Sequence, residues 1–363
     1  MFNSQSYGNW QRMLSQLLPD DCQSRLINMS LLIVGIFSSG SIYLSVIARK
    51  IPLRVQKWSI VKRFERFLDN EAVDVEAWYR PWAEWLIKSA SCAGTLHLVV
   101  DTTKVSAHCR LLMIGVAYHR RTLPLIWDWV EYPRGHCTAD FQVALLKRLK
   151  SLIADDIQVT FVGDNEFGTV KVMRLLSKWK WQYSLRQKGR TLYKSAQESN
   201  WKRIDSMSVK RGQCLWLGSV YLTQDQAYPT HLVVYWKSDE KEPWYLATNC
   251  LSGLPAIRLY KRRVWIEEMF GDMKGHGFDL ELSRLRTTER LSRLTLAVCI
   301  LYVWLVTTGE YVIQQGKQAE IDRTDRRDLS IFRLGWDWLE RRFTFDDPIP
   351  ILFRPNFCLV SGC

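Results

Sequence analysis

Acidic side chains are in short supply: 37 Asp and Glu stand against 50 Lys and Arg in 363 residues, a formal net charge of +13 at pH 7 before any histidine protonates. Such a surplus speaks about partners rather than fold, and it favours a polyanion, either nucleic acid or an anionic membrane surface. The nine cysteines are odd in number and include no CxxC pair, and the polar start Met1-Phe2-Asn3-Ser4-Gln5 carries no secretory signal. The expected compartment is therefore a reducing cytoplasm. The pairs His108-Cys109 and His136-Cys137 offer two His and two Cys. Zinc ligands from one knuckle sit two to four residues apart, and neighbours on a strand point to opposite faces, so a zinc site is disfavoured. There is no internal repeat and no low-complexity segment, and 47% hydrophobic with 24% charged residues excludes the disordered and fibrous classes. At roughly 100–200 residues per domain, the length allows two or three domains.

Long uncharged runs are equally few. No residue between Arg25 and Arg49 is charged, which is long enough to cross a bilayer, yet Ser38-Ser39-Gly40-Ser41 interrupts the run as a helix stop and N-cap cluster. Two short helices are expected there. The apolar run Leu294 to Val306 is too short to span and reads as a buried helix. The expectation is a protein with no membrane partner; the opposing reading, with Leu26 to Ala48 as an anchor, predicts fractionation with membranes. Tryptophan, by contrast, is abundant at 17 residues, and supplies either stacking surface or core.

Residues 1–90 read as a helical N-terminal region. After a turn at Pro52 comes a helix capped by Ser59, with the apolar face Val61, Phe64, Phe67 and Leu68 and the charged face Lys62, Arg63 and Arg66. Short helices with a basic second member make a candidate DNA-contacting module through Arg63 and Arg66; the plainer reading is an amphipathic helix with a solvated face. From about residue 91 strands are expected at Thr95–Val100, Leu111–Tyr118 and Leu123–Val130, the last two joined by the basic turn His119-Arg120-Arg121. Helical patterns over Ala139–Ile153 and Thr169–Lys178 then alternate with strands at Val159–Val162 and Trp181–Leu185. Three strands followed by alternating helix and strand predict a mixed α/β sheet. The expected division is 1–90 for the DNA-binding region, 91–188 for the first part of a core, 189–255 for a β-rich insertion, 256–315 for the second part of the core, and 316–363 for a charged, aromatic tail.

Two carboxylates follow predicted apolar strands: Asp101 after Leu98-Val99-Val100, and Asp164 after Phe161-Val162-Gly163. Asp at a strand end commonly serves a turn or cap. Carboxylates at the carboxyl ends of neighbouring strands also lie where ligands of α/β sheets collect, and Mg²⁺ takes such oxygens while keeping several waters. A third element is more specific. At about 100° per residue on one helix, Tyr260, Arg263, Glu267 and Lys274 fall within about 60° of one another, while Glu268 points about 100° away. The plainer reading is an Arg263–Glu267 i,i+4 pair worth a few tenths of a kcal/mol. The coincidence of three acids with the basic flank Arg258, Lys261, Arg262, Arg284, Arg286, Arg290 and Arg293 favours a functional one.

The spacing Y-x2-R-x3-E-x6-K, met at Tyr260, Arg263, Glu267 and Lys274, together with the two strand-end acids, resembles the signature of the DDE transposases of the IS4 type, bacterial insertion-sequence enzymes. The resemblance covers most of the chain. It implies an α/β fold with an RNase H-like mixed sheet, a β-rich insertion between the second Asp and the Glu, and a helical N-terminal region. It implies that Asp101, Asp164 and Glu267 are the catalytic, metal-binding triad for two Mg²⁺ or Mn²⁺ ions, and that Tyr260, Arg263 and Lys274 contact phosphates of transposon-end DNA. Trp244, in Pro243-Trp244-Tyr245, is similar to the residue that stacks on a flipped base in hairpin-forming relatives; a Trp in a strand is otherwise core. Asn165 departs from the Arg the family often carries, which removes a DNA contact there but not the metal ligand. The implied partners are double-stranded DNA, as transposon ends and target, and a second copy in a homodimeric synaptic complex. The implied activity is cleavage at element ends and joining of 3′-OH ends to target DNA, at the nucleoid of a prokaryotic cytoplasm. A metal-dependent nuclease that never joins and a non-catalytic DNA-binding descendant are the competing readings.

Overall fold

Gly40 divides the long uncharged run. The computed structural model describes residues 4–105, 109–131, 137–195, 197–351, 353 and 355–357; His108 and His136 of the paired His-Cys motif lie outside the described residues. Helices α1 (Ser4–Leu17), α2 (Gln23–Ser39), α3 (Leu44–Ile47), α4 (Lys57–Asp69) and α5 (Val75–Cys92) come first. At φ 59° Gly40 adopts the left-handed conformation that ends α2, and its N–H bonds the Ile36 carbonyl at 2.9 Å. Beyond it α3 is a single turn. Helix α4 begins at Lys57, two residues before the expected Ser59 cap, and buries Ile60, Val61, Phe64, Phe67 and Leu68.

The sheet forms from β1 (Thr95–Lys104), β2 (Cys109–Tyr118), β3 (Arg121–Glu131), β4 (Gln158–Gly163) and β5 (Gln182–Arg186), with α6 (Ala139–Lys150) and α7 (Val170–Lys178) between the later strands. It continues through β6 (Leu192–Ser195), β7 (Lys202–Arg203), β8 (Cys214–Leu222), β9 (Tyr228–Tyr235) and β10 (Trp244–Thr248). Together they make one ten-stranded sheet in the order β3-β2-β1-β4-β5-β10-β9-β8-β6-β7. The first half, antiparallel from β3 to β1 and parallel from β1 to β5, is an RNase H-like mixed sheet. Parallel neighbours need a crossover, and α6 and α7 supply it. The residues between Asp164 and Glu267 extend this same sheet, because β10 pairs antiparallel with β5.

Helices α8 (Gly253–Tyr260), α9 (Val264–Met273), α10 (Thr288–Gln314) and α11 (Ile331–Phe345) complete the chain. The run expected to be too short to span lies within α10, whose 27 residues are long and apolar enough to cross a membrane, but 89% of its apolar window is buried inside the protein. An all-round apolar helix is what a core position requires, and α2, α4, α5, α11 and β3 surround it. The segment expected as a tail thus contributes a packed helix. Most of the tryptophan surplus is also core: Trp10 and Trp304 meet edge to face at 5.1 Å, and Trp336 packs on Phe37, Phe278 and Phe332.

Helices α10 and α11 cross at paired glycines. A Cβ on Gly335 would stand 2.0 Å from the Leu305 carbonyl oxygen, and one on Gly309 would stand 1.9 Å from that of Ile331. Neither obstacle is a flexible side chain, so the helices must separate to admit a methyl group. Gly335→Ala is expected to lower stability by about 2–3 kcal/mol, while Gly8→Ala on α1, where nothing lies within 4 Å, stays neutral or gains up to about 1 kcal/mol. Denaturant unfolding of the two variants checks this.

Candidate active site

The register of β1 against β4 builds the first part of the site. Their last parallel pair is Val100↔Gly163, so the next position on each strand is an aspartate, Asp101 beside Asp164. Asp101 is not the end of its strand as expected. Strand β1 runs on to Lys104 because β2 still pairs with it, Asp101 opposite Met113, while β4 turns away at Asp164. Close approach at that turn requires glycine: a Cβ on Gly163 would lie 2.7 Å from Val100 Cγ1 and 3.0 Å from Phe167 Cβ. Asp101 Oδ1 accepts the Thr102 N–H at 2.8 Å. Asp164 Oδ1 is buried and accepts no hydrogen bond.

The third acid arrives on a helix that differs from the expected one. A single helix carrying Tyr260, Arg263, Glu267 and Lys274 on one face is not formed. The three cations Lys261–Arg263 instead make a 3₁₀ turn between α8 and α9, and Lys274 lies beyond the end of α9. The tighter turn aims Arg263 at both flanking carboxylates. Its Nη1 donates to Asp101 Oδ2 at 3.2 Å and its Nη2 to Glu267 Oε1 at 2.6 Å. Tyr260 is buried at the end of α8, its hydroxyl near the Arg263 and Arg186 guanidiniums. Lys274 turns to the far end of β1, donating to the Lys104 carbonyl at 2.6 Å and pairing with Glu281 at 2.7 Å.

Electrostatics follow from this crowding. Burial pushes the Asp101 carboxyl up to about 7; the Arg263 cation and the Thr102 N–H oppose the shift, and Asp164 and Glu267 add to it. For Arg263, burial works to lower the pKa, but Tyr260, Glu267, Asp101 and Asp164 outweigh it and hold the guanidinium above its usual range. Burial likewise pushes the Tyr260 phenol up to about 12, against the pull of Arg263.

The other expected residues are placed less openly. Trp244, the first residue of β10, is only 9% exposed, its ring edge-on to Tyr260 at 5.0 Å and to Tyr235 at 5.7 Å. Arg63 is half-buried and bonds Asn28 of α2, whereas Arg66 is exposed on α4. Three neighbours of the site went unread in the sequence. Arg186 closes β5 and faces Tyr260. Glu166 takes the Thr102 hydroxyl at 2.9 Å and the Cys137 N–H at 2.5 Å; its Asp-x-Glu spacing after β4 is the one available signal. Arg121, read only as part of a basic turn, points inward to Glu268 and Asp272 of α9.

Among the described residues, no group of three or more His, Cys, Asp or Glu side chains stands close enough to hold a metal ion as placed. The Arg263 guanidinium occupies the ground between Asp101 and Glu267. The donor chemistry nevertheless fits a hard divalent cation: carboxylate oxygens from adjacent strands, one of them buried without a partner.

Comparison with known proteins places this arrangement in a class. The profile described as "Transposase DDE domain" matches residues 94–304, more than half of the chain, from the start of β1 into α10. The chain belongs to the family of DDE-domain transposases, and is an enzyme of that class. Comparison with curated proteins returns no match. Among solved structures, the chain is similar to a piggyBac transposase in a synaptic complex with hairpin DNA, at 10% identity and a TM-score of 0.44, over 100% of this chain and 84% of that one.

The raised carboxyl of Asp101 has a consequence for stability. Its folded pKa of about 7 lies above its ordinary 3.8, so between these values the folded state binds the extra proton. Stability from this group is full at low pH and is lost as pH rises towards about 7. In chelator, the melting temperature of Asp101→Asn should gain on the wild type between about pH 5 and about pH 8. Scanning fluorimetry at both values checks the sign; parallel shifts contradict it.

Proposed function

We propose that this protein is the transposase of an IS4-like insertion sequence, acting at the ends of its element with Asp101, Asp164 and Glu267 as the catalytic carboxylates. The observation that carries the reading is the convergence of three distant acids: strand register sets Asp101 beside Asp164, and one guanidinium joins Asp101 to Glu267. Asp101, Asp164 and Glu267 are the residues that would hold Mg²⁺ or Mn²⁺, in a pair. Bound there, divalent ions supply Lewis-acid stabilisation of the charge that develops on an attacked phosphodiester.

The rest is the work of the chain's own side chains. Arg263 makes one contact to each of two carboxylates, and a phosphate group, with two oxygens for its planar fork, is a better bidentate partner than either single contact. It would turn from Asp101 and Glu267 to the phosphate, leaving both carboxylates free. Tyr260 stays protonated and offers its O–H as a donor beside the same phosphate, while Lys274 would leave its pair with Glu281 to contact a phosphate further along. Water attack at an element end frees a 3′-hydroxyl, and attack of that hydroxyl on a target duplex makes the joint. Arg66, exposed on α4, and the half-buried Arg63 are the candidate DNA contacts of the N-terminal region. Trp244 is the candidate for stacking on an extruded base, once its ring parts from Tyr260 and Tyr235. Synapsis of two ends calls for a homodimer on DNA, acting in the prokaryotic cytoplasm.

Asp101→Asn, Asp164→Asn and Glu267→Gln should each reduce cleavage of the element's own ends by about 10³-fold or more, with end binding in chelator retained. Gel assays of nicking, binding and strand transfer check this. Cleavage surviving in Asp101→Asn contradicts the triad, and cutting without joined products favours the nuclease reading.

A further inference from the structure

Glu267 and Glu268 are adjacent on α9, yet their carboxylates are claimed by different guanidiniums. Arg263 takes Glu267; Arg121 takes Glu268 at 3.2 Å and Asp272, one turn further on, at 2.6 Å. The Arg121 contact is the more buried, with side chains 11% exposed for Arg121 and 5% for Asp272, and the Tyr302 hydroxyl of α10 closes on the same Asp272 oxygen at 3.4 Å. Arg121 is delivered by a two-residue hairpin turn. His119 and Arg120 both sit at positive φ, 43° and 63°, and Tyr118 pairs with Arg121 across the turn. The twist of such a turn matches that of the strands, and it starts β3 with a side chain aimed at α9.

Helix α9 needs such a hold. It is ten residues long, is joined to the eight-residue α8 through the 3₁₀ turn, and ends at Lys274 with φ −99° and ψ −127°, so beyond the turn that carries Asp272 no further helix fixes its rotation. Its Ile266, Met269, Phe270 and Met273 pack on the sheet, but apolar burial is non-directional, whereas a guanidinium fork is directional. A carboxylate carried about 6 Å from a helix axis moves about 1 Å when the helix rotates by about 10°, and a functional constellation tolerates about 0.5 Å. If Arg263 turns to a phosphate, its grip on α9 is released and that of Arg121 is left.

We propose that Arg121 is a positioning residue for Glu267: by gripping Glu268 and Asp272 it fixes the rotation of α9 about its axis and so the direction of the Glu267 carboxylate. This inference rests on the reading of Glu267 as a metal-holding carboxylate. The test is titration of the full-length protein with Mn²⁺ alone, without DNA, following free Mn²⁺ by electron paramagnetic resonance, with thermal melting in parallel. Arg121→Met should weaken Mn²⁺ binding by about 10-fold or more, the scale of losses when the groups orienting a metal ligand are removed, and Arg121→Lys should recover part of it. A merely structural role lowers the melting temperature and leaves Mn²⁺ affinity unchanged, so an Arg121→Met protein that melts cooperatively and binds Mn²⁺ like the wild type overturns the proposal. Should Arg121→Met not fold, Glu268→Gln takes its place, since Glu268 is 51% exposed. A loss of about 3-fold is expected there, one of two contacts being weakened, and an unchanged affinity overturns the proposal. Glu267→Gln separates the two levels: if it too binds Mn²⁺ like the wild type, the triad reading falls and this one with it.

Discussion

Parallel pairing of β1 with β4 is the constraint on which the rest of the site depends. Six consecutive pairs from Thr95↔Gln158 to Val100↔Gly163 set the register, and the next residue on each strand is an aspartate. A slip of one position would send every side chain of a strand to the opposite face, taking one carboxylate out of the site and misplacing core residues such as Leu98 and Phe161, both fully buried. Packing on both faces of these strands therefore fixes the acid pair: residues that fill the core also decide where two charges meet.

Bringing a third carboxylate to that pair is electrostatically costly, and the structure meets the cost with guanidiniums. Arg263 bridges Asp101 and Glu267, while Arg121 satisfies the acids on the neighbouring face of α9. Even so, burial leaves Asp101 with a carboxyl pushed up to about 7. A site that strains to hold its own negative charge is one whose balance improves when a cation arrives. The insertion takes part in the same edge: because β10 continues the sheet from β5, Trp244 is set against Tyr260 rather than in a separate lobe.

Much of the candidate site is legible from residues alone, and the rest is hidden for physical reasons. The acids Asp101 and Asp164 are visible because apolar strands with a following carboxylate are local patterns, and Tyr260, Arg263 and Glu267 because their spacing is. The helical wheel misplaces Lys274, since it assumes one uninterrupted helix. Three consecutive cations at the end of α8 tighten into a 3₁₀ turn, where charge favours a helix terminus. Asp101 reads as a strand end because the longer pairing of β1 with β2 depends on a second strand that its own sequence does not reveal. Arg121 stays hidden for a similar reason: nothing local in a basic turn names a partner, and its partner Asp272 lies 151 residues away.

The central claim is that Asp101, Asp164 and Glu267 form one cation-binding centre, with Arg263 holding its place. Anomalous diffraction from crystals grown with Mn²⁺ and element-end DNA tests it directly. The account predicts manganese peaks within coordination distance of all three carboxylates, with Arg263 turned away from Asp101 and Glu267 onto a phosphate. Manganese bound elsewhere, or Arg263 still bridging the two acids in the loaded complex, would contradict it.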